Sequence, residues 1–432
     1  MSSFVIEGRA PLRGRHVSPG NKNAALPMIA AAILADSPVT LTNLPVIGDV
    51  KTMLELAGEL GAKIDADFDA RTVIIDPANV NATELPAGLC AKVRTSILFA
   101  GPLLAKHGAA ILPPPGGDPI GQRPLDTHFH GLQKLGATCD FHGGLFHLGA
   151  SAGLRGARIL LNEASVTATE NLLMAAVLAE GQTEIYNAAC EPHVQNLCRM
   201  LSQMGARIEG SGTNRLVIHG IEKLSGAVCR IAPDYIETAS FIAAAAATNG
   251  SIEIAETNGD DLEILERPFS RLGIRWQRDP ASGLLTFDPV SNGPLRIIPD
   301  MFGAIPKIDD GTWPLTPSDV MSVLIVLATQ AEGIAVFFEK MFESRMYFID
   351  NLVGMGAQIV QCDPHRIVVK GPVRLRGARI QSPDIRAGMA MLIAGLCAEG
   401  ETHIANAESI DRGYENIELS LARLGAKIRR KG

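Results

Sequence analysis

Two hydrophobic phrases alternate along the chain. In the first, a helical run ends on an apolar residue, a glycine follows and a strand begins. It occurs as Leu60-Gly61-Ala62-Lys63-Ile64, Leu135-Gly136-Ala137, Met204-Gly205-Ala206-Arg207-Ile208, Leu272-Gly273-Ile274, Met355-Gly356-Ala357-Gln358-Ile359 and Leu424-Gly425-Ala426-Lys427-Ile428. The glycines stand 75, 69, 68, 83 and 69 residues apart. Glycine just past a helix supplies the left-handed residue that ends it. The second phrase is an Ala/Leu-rich helix, a tight turn and an alternating strand, as in ILADSPVTL from Ile33, LAKHGAAIL from Leu104 and VLAEGQTEI from Val177. It returns as AAATNGSIEI from Ala245, ATQAEGIAV from Ala328 and LCAEGETHI from Leu396. Two helices and several strands in about 70 residues make a compact α+β unit, unlike a helical solenoid or a Rossmann alternation.

Six units in 432 residues predict two domains of three, since one core rarely grows to such a length. The polar joint near Ala227 to Asp234 separates the third unit from the fourth. The predicted domains are therefore 22–230, and 1–21 plus 231–432. The opening strand within Ser2 to Val17 precedes the first repeat helix and is expected to complete the last unit. The widest spacing holds DPVSNGPLRIIPDMFGAIPKIDDGTWPLTPSD, with six prolines, which predicts a long inserted loop.

Composition narrows the function. The net charge of −7 argues against nucleic acid as a partner, because phosphate backbones need a basic face. The seven cysteines lack any C-x-x-C spacing and mostly lie in apolar runs, as small buried hydrophobes do in a reducing cytoplasm. No apolar run is long enough to span a bilayer, and no secretory signal pattern opens the chain. Gly149-Ala150-Ser151-Ala152-Gly153 matches G-x-S-x-G but precedes a glycine turn instead of a helix, so it is no nucleophile elbow. His128 and His130 diverge around a helix and make a poor metal pair.

Cations occupy positions that helices do not favour. Lys22, Arg94, Arg123, Arg345, Arg386 and Arg412 all stand at predicted helix starts, where the partial charge is already positive. Six such placements at similar points of a repeat point to a bound anion held by cations and helix ends together. Each one singly could pair with a neighbouring carboxylate or lie on a solvated face. Asp49, Asp126, Asp234, Asp319 and Asp384 fall at the same kind of position, where Asp is an ordinary cap. Pro113 to His128, PPPGGDPIGQRPLDTH, cannot be helix or central strand and reads as an active-site lid carrying Asp118 and Arg123. Asp118 and Asp319 are the candidates for proton transfer.

Asn21-Lys22-Asn23-Ala24-Ala25-Leu26-Pro27 resembles a motif of the enolpyruvyl transferases. So do Gly116-Gly117-Asp118-Pro119-Ile120-Gly121 with Arg123-Pro124-Leu125-Asp126, Phe342-Glu343-Ser344-Arg345 and Asp411-Arg412-Gly413-Tyr414-Glu415. The resemblance covers essentially the whole chain and lies with the branch that uses UDP-N-acetylglucosamine as acceptor. It implies an α/β fold of α+β repeats: two inverted α/β barrel domains, each of three repeated units, closing over an active-site cleft between them. It also implies transfer of the enolpyruvyl group of phosphoenolpyruvate to the sugar 3′-hydroxyl with release of phosphate, opening peptidoglycan precursor synthesis. Roles in cell wall biogenesis, cell shape, the cell cycle and cell division, and a cytoplasmic location, follow from that implication. So do small-molecule substrates only, with no metal, no cofactor beyond phosphoenolpyruvate as co-substrate, and no membrane.

By motif match, Lys22, Asn23, Arg123, Arg345, Arg386 and Arg412 correspond to the family's phosphoenolpyruvate clamp. Lys22, Asp118, Asp319 and Arg412 correspond to catalytic residues, Asp319 taking the hydroxyl proton. Asn23, Arg94, Arg123, Pro124, Leu125, Asp126, Thr127, Ser165, Val166, Asp319 and Met341 correspond to contacts with the nucleotide sugar. There are departures. Asp118 stands where many members carry a lid cysteine, Glu163 where some carry Lys, and Tyr235 where Arg is frequent. The alternatives are an enolpyruvyl transferase with another acceptor, such as UMP or shikimate 3-phosphate, and a silent nucleotide-sugar-binding paralogue.

Overall fold

The structure is a computed structural model that describes residues 2–118 and 120–432; Met1 and the lid residue Pro119 lie outside the described residues. The chain divides into two compact units. One holds 19–118 and 123–232; the other holds the N-terminal stretch to Ser18, the lid residues to Gln122 and 233–432. The lid thus changes unit within its length, where the expected boundary kept it whole in 22–230.

Each unit carries three sheets, one per repeat. In the first unit the four-stranded sheets are Val228–Arg230, Val39–Thr42, Thr72–Asp76, Lys63–Asp67, and Arg207–Glu209, Arg215–His219, Gln182–Tyr186, Arg158–Leu160, each in spatial order; the third is Ala109–Leu112, Leu145–Gly149, Thr138–His142. All six glycines of the first phrase have positive φ, from +74° at Gly273 to +110° at Gly205. A strand follows each one, as the left-handed cap requires. Among the described residues no sheet closes on itself into a barrel.

Three strands reach their sheets from far along the chain. Ser3–Glu7 lies between Glu401–Ala405 and Lys427–Lys431, antiparallel to both, so the opening strand does sit in the last repeat. Arg13–Val17 runs parallel to Ser251–Ala255 in the fourth repeat. Val228–Arg230 runs parallel to Val39–Thr42 in the first. The proline-rich insertion is not simply a loop. It contains the short helix Pro289–Asn292 and the strand Lys307–Asp309, which pairs in parallel with Gly333–Phe338. That strand takes the parallel edge place that Val228–Arg230 and Arg13–Val17 fill elsewhere. Its three residues are too few to show a period-2 pattern.

The Ala-rich helices are core elements. In the second unit Tyr235–Ala247, Ser318–Gln330 and Ile385–Cys397 pack on one another, and every residue of Ile385–Cys397 is buried. In the first unit Lys22–Ala32, Ala100–His107 and Val166–Ala176 fill the same place, buried over most of their length. Helices apolar all round belong inside, and each unit has its own apolar core. With their flanks buried, these helices expose chemistry only at their ends.

Candidate active site

In the first unit most of the candidate site residues lie at or beside helix N-termini. Asn21 caps Lys22–Ala32 by accepting the N–H of Ala24. Lys22 is the first helical residue and is buried; its ammonium lies 2.7 Å from Asp49. Asp49 is not the cap expected of it, because Ile47 holds that position at the start of Gly48–Glu59. The carboxylate instead neutralises a lysine that the helix end disfavours.

Arg94 opens the 3-10 turn Arg94–Phe99, which becomes α-helical at Ala100–His107. The single helix expected there divides because Pro102 has no N–H to give back to the preceding turn. Arg94 donates to the main-chain carbonyl of Arg123, and Arg123 donates to that of Asp118 at 2.9 Å. Burial, and then the nearby Arg123 charge, push Arg94 down to about 10. The glycines beneath this chain are there for room. A Cβ on Gly116 would lie 1.8 Å from the carbonyl oxygen of Ala91, and Gly117, at φ +121°, runs against Arg94 and Arg123.

The helix after the lid begins at Asp126, with Leu125 as cap, so Pro124 lies before its first turn. Thr127 is buried and donates to Glu163 at 3.4 Å. Ser165 caps Val166–Ala176 by accepting from Ala168. His128, set aside as a metal ligand, is a buried hydrogen-bonding residue, 3.1 Å from Thr167 and 3.1 Å from Asn171. Burial, with Arg94 adding to it, lowers it to about 3, so it is neutral at ordinary pH. Only its place directly after Arg123-Pro124-Leu125-Asp126-Thr127 could have pointed to it.

In the second unit the arrangement centres on one carboxylate. Asp319, in the first turn of Ser318–Gln330, receives Arg345 at 2.6 Å and Arg386 at 2.9 Å. Asp384 caps Ile385–Cys397 through the N–H groups of Arg386 and Ala387, and lies 3.8 Å from Arg345. The Tyr414 hydroxyl is 3.3 Å from Arg386 and 2.9 Å from Ser240. Burial works against the charge of Arg386, yet Asp319, Tyr414 and Asp234 outweigh it and raise its pKa. Arg345 keeps its Nε buried with no hydrogen-bond partner among the described residues.

Two helix starts differ from expectation. Arg345 lies in a run of turns, and its helix begins only at Ile349. Arg412 is the C-cap of Ala407–Asp411, an end that favours a cation. Asp234 is the expected cap, accepting from Ile236 and Glu237. Tyr235 is buried with its ring edge-on to Trp313 of the insertion, centroids 5.7 Å apart. Residues 120–122 belong with this unit: Gln122 donates its N–H to Glu343 at 3.0 Å, and Ser344 donates to the carbonyl of Ile120 at 3.2 Å. Met341 is partly exposed, and its N–H donates to Asp310.

Among the described residues no cysteine forms a disulfide, and five of the seven are buried. Among the described residues no helix is long and apolar enough to cross a membrane.

The family model of EPSP synthase (3-phosphoshikimate 1-carboxyvinyltransferase) matches residues 6–421. A protein of Treponema denticola named UDP-N-acetylglucosamine 1-carboxyvinyltransferase is 48% identical over 431 residues, covering all of both chains. One of the same name from Bradyrhizobium diazoefficiens is 50% identical, covering 99% of this chain and 97% of its own. Among solved structures, the enolpyruvyl transferase NikO of Streptomyces tendae superposes with a TM-score of 0.86 at 24% identity, over 100% of this chain and 99% of that one. EPSP synthase of Acinetobacter baumannii does so at 0.76 and 20% identity over all of both chains. At such identities the two structures speak for the fold.

Proposed function

Because the chain belongs to the 1-carboxyvinyltransferase family, we propose that it transfers the enolpyruvyl group of phosphoenolpyruvate to the 3′-hydroxyl of UDP-N-acetylglucosamine and releases phosphate. The observation that carries the acceptor is the full-length match, at 48% and 50% identity, to relatives named for that sugar nucleotide. The product would enter peptidoglycan synthesis.

The chemistry makes definite demands. A proton adds to the methylene carbon of phosphoenolpyruvate and carbon 2 becomes electrophilic. The acceptor oxygen bonds to carbon 2 while its proton passes to a base. The added carbon-bound proton then leaves as the C–O bond to phosphate breaks. We assign the base to Asp319, whose carboxylate Arg345 and Arg386 hold in one orientation. Lys22, Asn23, Arg123, Arg345, Arg386 and Arg412 bind the carboxylate and phosphate of phosphoenolpyruvate. The buried, unmatched Nε of Arg345 is the kind of donor that an anion completes. Such fixed cations stabilise charge as it develops in the transition state.

The nucleotide sugar is assigned to Asn23, Arg94, Arg123, Pro124, Leu125, Asp126, Thr127, Ser165, Val166, Asp319 and Met341. Asp118 is assigned the proton exchange at the methylene carbon. No cofactor or metal enters this scheme. Phosphate release is measured with phosphoenolpyruvate and, in turn, UDP-N-acetylglucosamine, UMP or shikimate 3-phosphate. Turnover with the first and background rates with the others is the expected result. A preference for UMP or shikimate 3-phosphate would reassign the acceptor.

A further inference from the structure

Two buried carboxyl groups outside the assigned site lie side by side at the ends of paired strands. Strand Lys307–Asp309 runs parallel to Gly333–Phe338, with Asp309 opposite Phe338. The next residue on each strand is an acid, Asp310 and Glu339, exposed by 0% and 1%. Asp309 instead turns outward to Lys307 and Lys340. Neither Asp310 nor Glu339 has a lysine or arginine in ion-pair contact among the described residues. At neighbouring strand ends and away from water, a hydrogen bond between the two carboxyl groups requires that one of them carries a proton.

What the pair holds is specific. Asp310 accepts the N–H groups of Lys340 and Met341. Glu339 accepts the N–H of Phe342 at 3.2 Å. Three consecutive main-chain donors therefore end on the pair, at the root of the segment that carries Arg345. Glu339 also accepts the Ser318 hydroxyl, at 2.9 and 3.0 Å from its two oxygens. Ser318 is the residue before Asp319.

We propose that Asp310 and Glu339 share one proton and act as positioning residues for the transfer reaction, fixing segment 340–345 and, through Ser318, the helix start that bears Asp319. The catalytic part of this inference rests on the function proposed above. With one proton the pair has a single negative charge and a hydrogen bond between its members. With none, two anions would face each other in a dry site.

Arg345 faces the pair from its own segment, and His365 from the adjoining turn, where its ring donates to the Glu339 carbonyl at 2.7 Å; the helix of Asp319 meets the pair through Ser318. Lys340 and Asp309 stand at the outer edge. Burial, then the hydrogen bond and charge of Asp310, push Glu339 up to about 9, against the pull of Arg345 and Ser318. The folded state thus holds a proton that the unfolded chain gives up at the ordinary value of 4.5. The stability this contributes is complete below the unfolded value and is lost as pH rises through about 9.

Glu339→Gln imitates the protonated acid: its amide donates to Asp310, and its oxygen accepts from Ser318 and Phe342. Melting temperatures of wild type and Glu339→Gln, taken from about pH 6 to about pH 9.5, should diverge progressively in favour of the variant as pH rises. This readout needs no substrate, so it stands even if the proposed acceptor is wrong. Under turnover at neutral pH, Glu339→Gln should keep kcat within about threefold and sustain it further into the alkaline range, while Glu339→Ala loses ~30-fold. A melting-temperature difference constant across pH, or a kcat loss in Glu339→Gln as large as in Glu339→Ala, would overturn the inference.

Discussion

In the unit of 19–118 and 123–232, Arg94 reaches the main chain of Arg123, and Arg123 that of Asp118. In the unit of 233–432, Arg345 and Arg386 both grip the carboxylate of Asp319. The first arrangement ties cations to neutral carbonyls, on a loop with no regular structure. Burial, and then the neighbouring charge of Arg123, lower the pKa of Arg94 there. The second pairs charge with charge at the heads of helices buried over almost all their length, where side chains have little freedom. The first suits a region that gathers an anionic ligand; the second suits one that holds a reacting group still.

That contrast predicts that substitutions in the two units will separate stability from activity. Asp319→Ala should be the most severe. It strands two arginines that are each about nine-tenths buried, which costs about 3 kcal/mol of stability, and removes the base, lowering kcat ~1,000-fold. Urea denaturation and phosphate release read the two effects. If stability held while activity fell, the carboxylate would not be holding the two arginines in place. Arg123→Ala should lower kcat/KM ~100-fold with less than about 1 kcal/mol of stability lost. A stability loss matching that of Asp319→Ala would erase the contrast between the units. The smallest effect concerns Asp118. A carboxylate is a poor nucleophile toward an epoxide and a thiolate a good one. Wild type should therefore show no time-dependent inactivation by fosfomycin, while Asp118→Cys should keep measurable activity and acquire it. Mass analysis should find the adduct on the new thiol; an adduct on wild-type Asp118 would contradict this reading.

Much of this was legible along the chain because it is local. A glycine that ends a helix does so through its own φ, and six of six did. Ala-rich helices without a polar face announced their burial. Lys22, Arg386 and Asp319 stood out because charge near a buried helix start has to be compensated. Strand order was far less accessible, since Arg13–Val17 and Val228–Arg230 join sheets of distant repeats. The Asp310–Glu339 pair was invisible for the same reason. One acid lay in a stretch read as loop and the other in F-F-E-K-M-F-E, and only the parallel pairing of two strands sets them side by side. Arg345 and Arg412 were misplaced by several residues because turns and short helices carry too few positions for a period to show.

Isolating the product decides whether the chain carries out this transfer. After incubation with phosphoenolpyruvate and UDP-N-acetylglucosamine, NMR should show an enolpyruvyl ether on the 3′ oxygen of the sugar, with phosphate released in equal amount. Recovery of unaltered UDP-N-acetylglucosamine from a folded, phosphoenolpyruvate-binding protein, or an ether formed only on a different acceptor, would overturn the proposed transfer.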